Sequence, residues 1–368
     1  MKRPYLLLLF LLGIFGCDYP ETVIDPAVNL NDEYNSIVMM PVALDAISIE
    51  QFVLDTNQHY RGLDFHLETS TVVVAGSKGH VAFGKYNQQE ISWDGSFNVD
   101  SLHLRDVEIW EDRVIVMSIA SPGYIKELRT DFLDVDTSAV WQTRFYDNHE
   151  KVFLDGVDFW ENGSGLAFGD PFGGRHHVIK TTNSGVAWGQ IPRTDYPDTI
   201  PFEAGFAASG TGVVCVGEGV GYIAYGGVKA RIFKTEDYGD SWLTIETPIA
   251  HGKAGKGIYC MAWKNELEGV IAGGNWEEPE GDSCYAFTSD GGVTWNLGSG
   301  GSGYRSGICH VFGDTYFSVG TKGTDISVDG GVTWKQIAPD NLNAIKADSL
   351  NRIAIGVGSY GKAVKVTF

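Results

Sequence analysis

Cysteine, proline and positive charge are all scarce in this chain of 368 residues, which has 5 Cys, 12 Pro, and 27 Lys or Arg against 47 Asp or Glu, for a formal charge of −20. So acidic a surface repels phosphate backbones, which excludes a nucleic-acid partner. No Cys-x-x-Cys pair occurs, so neither a zinc ribbon nor a thioredoxin-type site is encoded. Cys215, Cys260, Cys284 and Cys309 read as small buried hydrophobes, because their neighbours, such as Val214 and Val216, are apolar. No Gly-x-Ser-x-Gly elbow is present. Beyond the N-terminus no run approaches the ~20 apolar residues of a membrane span. What is abundant is glycine, 47 residues, with 43% hydrophobic and 12% aromatic content, a core-forming composition that excludes a disordered chain.

The N-terminus sets the compartment. Met1-Lys2-Arg3 followed by the apolar run 5–15 is the n-region and h-region of a secretion signal, too short to hold as a transmembrane helix. It ends in Ile14-Phe15-Gly16-Cys17, which resembles the lipobox of bacterial lipoproteins, and that resemblance implies lipidation of Cys17 and a membrane contact through the anchor only. Residues 1–16 hold two basic residues and no acid, so the chain left after their removal is more negative than the whole. Residues 17–35 are polar, with Pro20 and Pro26, as expected of a tether. Asp18 and Glu21 resemble the acidic export signal of some Bacteroidetes surface lipoproteins. Asp beside the cysteine means inner-membrane retention under other sorting rules, so either periplasmic or surface display fits.

Residues 36–368 read as an internal repeat. Thr288-Ser-Asp-Gly-Gly-Val-Thr-Trp295 recurs as Ser327-Val-Asp-Gly-Gly-Val-Thr-Trp334, with weaker copies Thr235-Glu-Asp-Tyr-Gly-Asp-Ser-Trp242 and Thr182-Asn-Ser-Gly-Val-Ala-Trp188. Trp93 and Trp141 continue the beat, and the spacings of 48, 47, 54, 53 and 39 residues are those of propeller blades. Runs ending in glycine at 71–76, 165–169, 212–217, 269–273, 316–320 and 352–356 read as second strands. Upstream, 60–65, 104–109, 154–159, 202–206, 257–261, 304–308 and 341–345 read as innermost strands. Seven inner strands predict an all-β, seven-bladed β-propeller of four-stranded antiparallel blades. The last unit lacks an outer strand, which residues 36–52 are expected to supply, leaving no open edge.

The recurring Ser/Thr-x-Asp-x-Gly-x-Thr-Trp motif, the arginines on inner strands and the Gly169-Asp170-Pro171 turn resemble the Asp-box (BNR) propellers, most of all the family that includes the photosystem II assembly and stability factor. The resemblance covers roughly residues 50–368 and extends to sialidases, xyloglucanases and the sortilin ectodomain. It implies a WD40-like or YVTN-like repeat architecture, and arginines placed to contact a client chain. In the motif itself, Asp237, Asp290 and Asp329 are expected to bond turn amides while Trp188, Trp242, Trp295 and Trp334 pack between blades, a structural role.

Inner strands that start on the face where second strands end gather Arg61, Arg105 and Arg305 with Asp155 and Glu203 at one mouth of the channel. The following turns add Lys78, Asp170, Glu218 and Lys322, and Tyr60 and Tyr304 flank the arginines. Such a constellation fits a fork for carboxylate or phosphate, or a ring of mutually neutralising ion pairs. Asp170 with Glu218, or the acidic loop Glu277-Glu278-Pro-Glu280-Gly-Asp282, are the acids a glycoside hydrolase would need. The sialidase Phe/Tyr-Arg-Ile-Pro opening is missing, so catalysis is the alternative reading. Gly217-Glu-Gly-Val-Gly221 leads into a strand, not a helix, and so is no dinucleotide fingerprint. His176 and His177 alternate faces of a strand, cannot chelate one metal together, and read as exposed or strand-paired. The expectation is a monomeric, lipid-anchored envelope platform binding an exported protein or a glycan, with no catalytic residue, cofactor or metal.

Overall fold

The computed structural model describes residues 42–130 and 140–368. The expected signal peptide (residues 1–16), Cys17 and the expected tether (residues 17–35) lie outside them. The described residues form seven antiparallel blades of four strands, and their only helical turns are 3-10 segments of three residues. The innermost strands are Tyr60–His66, Leu104–Trp110, Leu154–Phe159, Val213–Val216, Lys256–Trp263, Gly307–Phe312 and Ala344–Asp348, in blades 1 to 7. Blade 6 gains a fifth, parallel strand at Ser299–Gly300.

Glycine-flanked Val/Ile/Ala runs form second strands that are buried throughout, as in Thr71–Gly76 and Gly269–Asn275. Both faces of these strands meet a neighbouring blade, which is why the runs are continuously apolar instead of alternating. Blade 7 is completed by Ser48–Val53, paired in register from Ser48 opposite Thr367 to Val53 opposite Lys362. The closing strand is therefore N-terminal, as the missing outer strand required.

Blade 4 departs from expectation. Residues 202–206 are not its inner strand; Val213–Val216 is, and Val220–Tyr225 is its second strand. An apolar Val-Val-Cys-Val run, of which only Val213 is fully buried, is compatible with either position, so the repeat alone misassigned it by one strand. Residues 191–212 are instead a long connection entering blade 4. In blades 6 and 7 the inner strands begin three residues later than the sequence suggested.

The turns between third and fourth strands share one hydrogen-bond plan. In blade 6, Asp329 accepts from the Ser327 hydroxyl at 2.8 Å, the Thr333 amide at 2.9 Å and the Thr333 hydroxyl at 2.6 Å. Asp290 and Asp237 repeat it in blades 5 and 4, and Asn183 substitutes in blade 3. The Thr294 hydroxyl and amide hold the Asp290 carboxyl below its ordinary range, so it is an ionised acceptor, not a proton donor. Each following tryptophan then packs on an aromatic neighbour: Trp334 stacks on Tyr285 at 4.1 Å, and Trp295 meets Trp263 edge-on at 5.9 Å. Asp329→Ala is expected to cost about 1–3 kcal/mol from lost charge-assisted hydrogen bonds, lowering Tm by roughly 1–4 °C in a chain of this size. Calorimetry checks this, and an unchanged Tm would refute a structural role for the turn carboxylate.

Candidate functional site

Each of three inner strands opens with a bulge: the register slips between Tyr60 and Gly62, between Leu104 and Asp106, and between Leu154 and Gly156. The extra residues are Arg61, Arg105 and Asp155. A fourth slip, between Ile258 and Cys260 in blade 5, makes Tyr259 their counterpart. A bulge re-aims one side chain without ending the strand, and here it assembles the mouth of the central channel.

That mouth is closed by the chain itself. Arg61 donates from Nη1 to the carbonyl of Ala208 at 2.9 Å, and Arg105 donates from Nη1 to the carbonyl of Ala207 at 3.1 Å. The Gly205 amide donates to Asp170 Oδ1 at 2.9 Å. Ala204 exchanges backbone hydrogen bonds with Gly226. Phe206 lies flat on Tyr259, with ring centroids 3.9 Å apart, and Tyr304 meets Tyr259 edge-on at 4.8 Å. Gly205 has no room for a side chain, since a Cβ there would fall 2.1 Å from Asp155 Oδ2. Gly210, at φ +81°, sits equally close over Asp106.

The connection is anchored beside the mouth by a buried cluster. Arg231 forks onto Glu203 with two 2.7 Å bonds, and His176 Nε2 lies 2.8 Å from the same carboxylate. His176 Nδ1 reaches the Pro197 carbonyl and Arg231 the Asp198 carbonyl. Glu203 thus holds the connection in place and offers no free carboxylate to a ligand.

Electrostatically the mouth is dry. Asp155 is wholly buried beneath the segment, beside the Ala207 amide, and burial, with Asp170 adding to it, pushes its carboxyl well above the ordinary range. Burial raises Asp170 to about 6 despite the Gly205 bond. Burial and then Arg61 bring Arg105 down to about 10.

The other expected site residues lie elsewhere. Arg305 is fully buried, bonding the carbonyls of Gly303 and Gly323 and lying 3.4 Å from Asp325. Tyr60 is buried with its hydroxyl 2.9 Å from His80. Glu218 lies in the turn between the first two strands of blade 4, its amide on Glu266, at the opposite end of the propeller from Asp170. That separation dissolves the Asp170–Glu218 pair as a two-acid site. In the acidic loop Lys253 pairs with Glu278 and Lys322 with Glu280. His176 and His177 are both buried, not exposed. The four body cysteines are free.

Below the mouth, a cavity of about 230 Å³ is lined from six inner strands, with Glu108, Asp158, His310 and Lys346 among its polar groups. Lys346 pairs with Asp64 and lies 3.9 Å from Glu108. Around this end, the turns between first and second strands of blades 1 to 6 carry Glu68, Glu111, Glu161, Glu218, Glu266 and Asp314. These channel residues were missed in the sequence, although Asp64, Glu108, Asp158 and Lys346 fall at one alternation of their strands. Tyr259 was missed as well, since its match to Arg61 shows only in the shared register slip.

No family model matches this sequence, and no curated protein does. Among solved structures the chain is similar to U3-55K, with a TM-score of 0.61 at 11% identity, covering 89% of this chain and 100% of that one. It is similar to YCF48 bound to D1 peptide, with a TM-score of 0.56 at 15% identity over 89% and 100%. For YCF48 from Cyanidioschyzon merolae the score is 0.58 at 14% over 87% and 98%. At these identities the likeness concerns the propeller fold.

A carboxyl held near 6 against an ordinary 3.8 binds its proton more tightly in the folded state than in the unfolded chain. Stability contributed this way is present below the ordinary value and is lost as pH rises to about 6. Asp158, also raised to about 6 by burial, acts in the same direction. Asp170→Asn is expected to flatten the fall in unfolding free energy between about pH 4 and 6 by up to about 1.4 kcal/mol per pH unit, one proton's worth. Urea titrations across that window check it, and an unaltered slope would show that Asp170 is not held protonated by the mouth.

Proposed function

We propose that the chain is a non-catalytic, lipid-anchored binding or assembly platform of the bacterial cell envelope, which takes an exported protein, or alternatively a glycan, on the mouth end of its propeller. The observation carrying this is the set of large aromatic side chains left in solvent at that end: Phe202 is 81% exposed, Tyr360 71% and Trp276 57%. They come from three separate connections, before blade 4 and within blades 7 and 5. Aromatic anchors on an otherwise polar rim are the signature of recognition surfaces. The exposed large residues in the turns of the opposite end are aliphatic, such as Leu67, Leu267 and Leu350. Similar folds in structures such as YCF48 bound to D1 peptide support a protein ligand over a glycan.

Two experiments test this reading. Affinity purification from host envelopes is expected to recover an exported protein with the unaltered chain, and at least tenfold less with Phe202→Ala, Trp276→Ala and Tyr360→Ala combined; undiminished capture by a folded triple variant would contradict it. Cys17→Ser is expected to abolish incorporation of labelled fatty acid and move the protein from the membrane to the soluble fraction. Continued membrane retention of that variant would refute the anchor.

A further inference from the structure

The contacts across the mouth are of an unusual kind. Arg61 and Arg105 hold two successive carbonyls, Asp170 holds an amide, and Gly226 pairs with Ala204 through backbone alone. Apart from Phe206 on Tyr259, and Ala208 in a small apolar group with Tyr259 and Tyr304, residues 204–209 contribute little side-chain recognition. A groove that grips backbone does not depend on which chain supplies it. The sequence requirement it imposes is small: a flat ring for Tyr259, then two residues small enough to fit beneath the arginines.

The anchors of the connection lie outside this stretch. Glu203, with Arg231 and His176, fixes it on one side, and Gly210, at positive φ over Asp106, marks the other. The six residues between can therefore leave the mouth while both ends remain seated. Phe202, next to the first anchor, is held at φ +60° in a left-handed conformation that strains a bulky side chain, and it stands in solvent where an approaching chain would meet it.

We infer that the channel mouth is a receptor for polypeptide backbone in a turned conformation, filled in the resting protein by its own residues 204–209, in which the Ala208 amide bonds back to the Phe206 carbonyl at 2.8 Å, and that the partner segment displacing them carries an aromatic residue followed by two small ones. This rests on the platform reading above and adds to it the chemistry of the bound segment and a built-in competitor. Displacement exchanges like for like: carbonyls for carbonyls on the two guanidinium groups, and ring for ring on Tyr259. Affinity is then set by how readily the internal segment leaves, since the apparent affinity of a site occupied by its own chain is the intrinsic one multiplied by the fraction of molecules in which it stands empty.

The test supplies the segment in trans. A labelled peptide Ala-Gly-Phe-Ala-Ala-Ser, the sequence of residues 204–209, is titrated by fluorescence anisotropy against the full chain purified in detergent. Phe206→Ser, which loses the stack on Tyr259, is expected to bind it at least tenfold more tightly than the unaltered protein. Adding Arg61→Ala and Arg105→Ala to that variant is expected to remove the gain, and a peptide with Ser in place of Phe is expected not to bind. Should Phe206→Ser not fold, replacement of residues 204–209 by six Gly and Ser residues removes the ring that seats the segment on Tyr259 and so favours the emptied mouth, while keeping Glu203 and Gly210. No tighter binding by a folded, emptied variant, or binding indifferent to both arginines, overturns the inference. Because no client is present, the outcomes separate: client capture without peptide binding removes this inference and leaves the platform, whereas arginine-dependent peptide binding without client capture supports the inference and removes the platform.

Discussion

The pairing of Ser48–Val53 with Lys362–Thr367 is what allows seven separate sheets to be one molecule. No blade has a core of its own; the apolar clusters lie between blades. Ile353, Ile355 and Val357 of blade 7 are buried against Tyr60, Leu63 and Val72 of blade 1 only because the closing strand keeps those blades adjacent. Each such side chain is worth about 1.5–3 kcal/mol when buried. Opening this one interface would therefore remove as much as the ~5–15 kcal/mol by which a typical domain exceeds its unfolded chain. Closure leaves each blade only the short edge of its outermost strand, and the two ends carry the side chains on which recognition can draw.

Those two ends are built differently. At the mouth end, four bulges turn Arg61, Arg105, Asp155 and Tyr259 toward the axis, and a long connection covers them. At the other end, short turns carry one or more acids in each of blades 1 to 6, and Asp64, Glu108 and Asp158 surround Lys346 in the channel. The chain's excess of acid thus has a location. The few cations of the mouth are not free charges awaiting an anion; they are spent on backbone carbonyls. This changes the ligand chemistry they imply from carboxylate or phosphate to polypeptide.

The repeat was readable because tryptophan and the Ser/Thr-x-Asp turn recur for a local reason, a hydrogen-bond plan closed within seven residues, as at Ser327, Asp329 and Thr333. Closure was readable from a missing strand. Blade 4 was not, because residues 202–206 imitate an inner strand in composition, and the partner that claims Glu203, Arg231, lies 28 positions away. For the same reason the mouth was legible as a gathering of Arg61, Arg105 and Asp155, while its occupant was not: Ala207 and Ala208 carry no side-chain signal, and their role is entirely in their carbonyls. Arg305 matched Arg61 in motif and differs in fate, because Asp325 on its own blade holds it inside.

The central claim is that residues 204–208 are held across the mouth of the resting protein by the two arginines and Asp170. Hydrogen exchange at the Gly205 amide, resolved by fragmentation and compared between the unaltered chain and one with Arg61→Ala and Arg105→Ala, tests it most directly. The account predicts protection at Gly205 close to that of the blade strands, falling to the level of an open loop in the double variant while the strands keep theirs. Rapid exchange at Gly205 in the unaltered protein would mean that the mouth stands open, and would contradict the account.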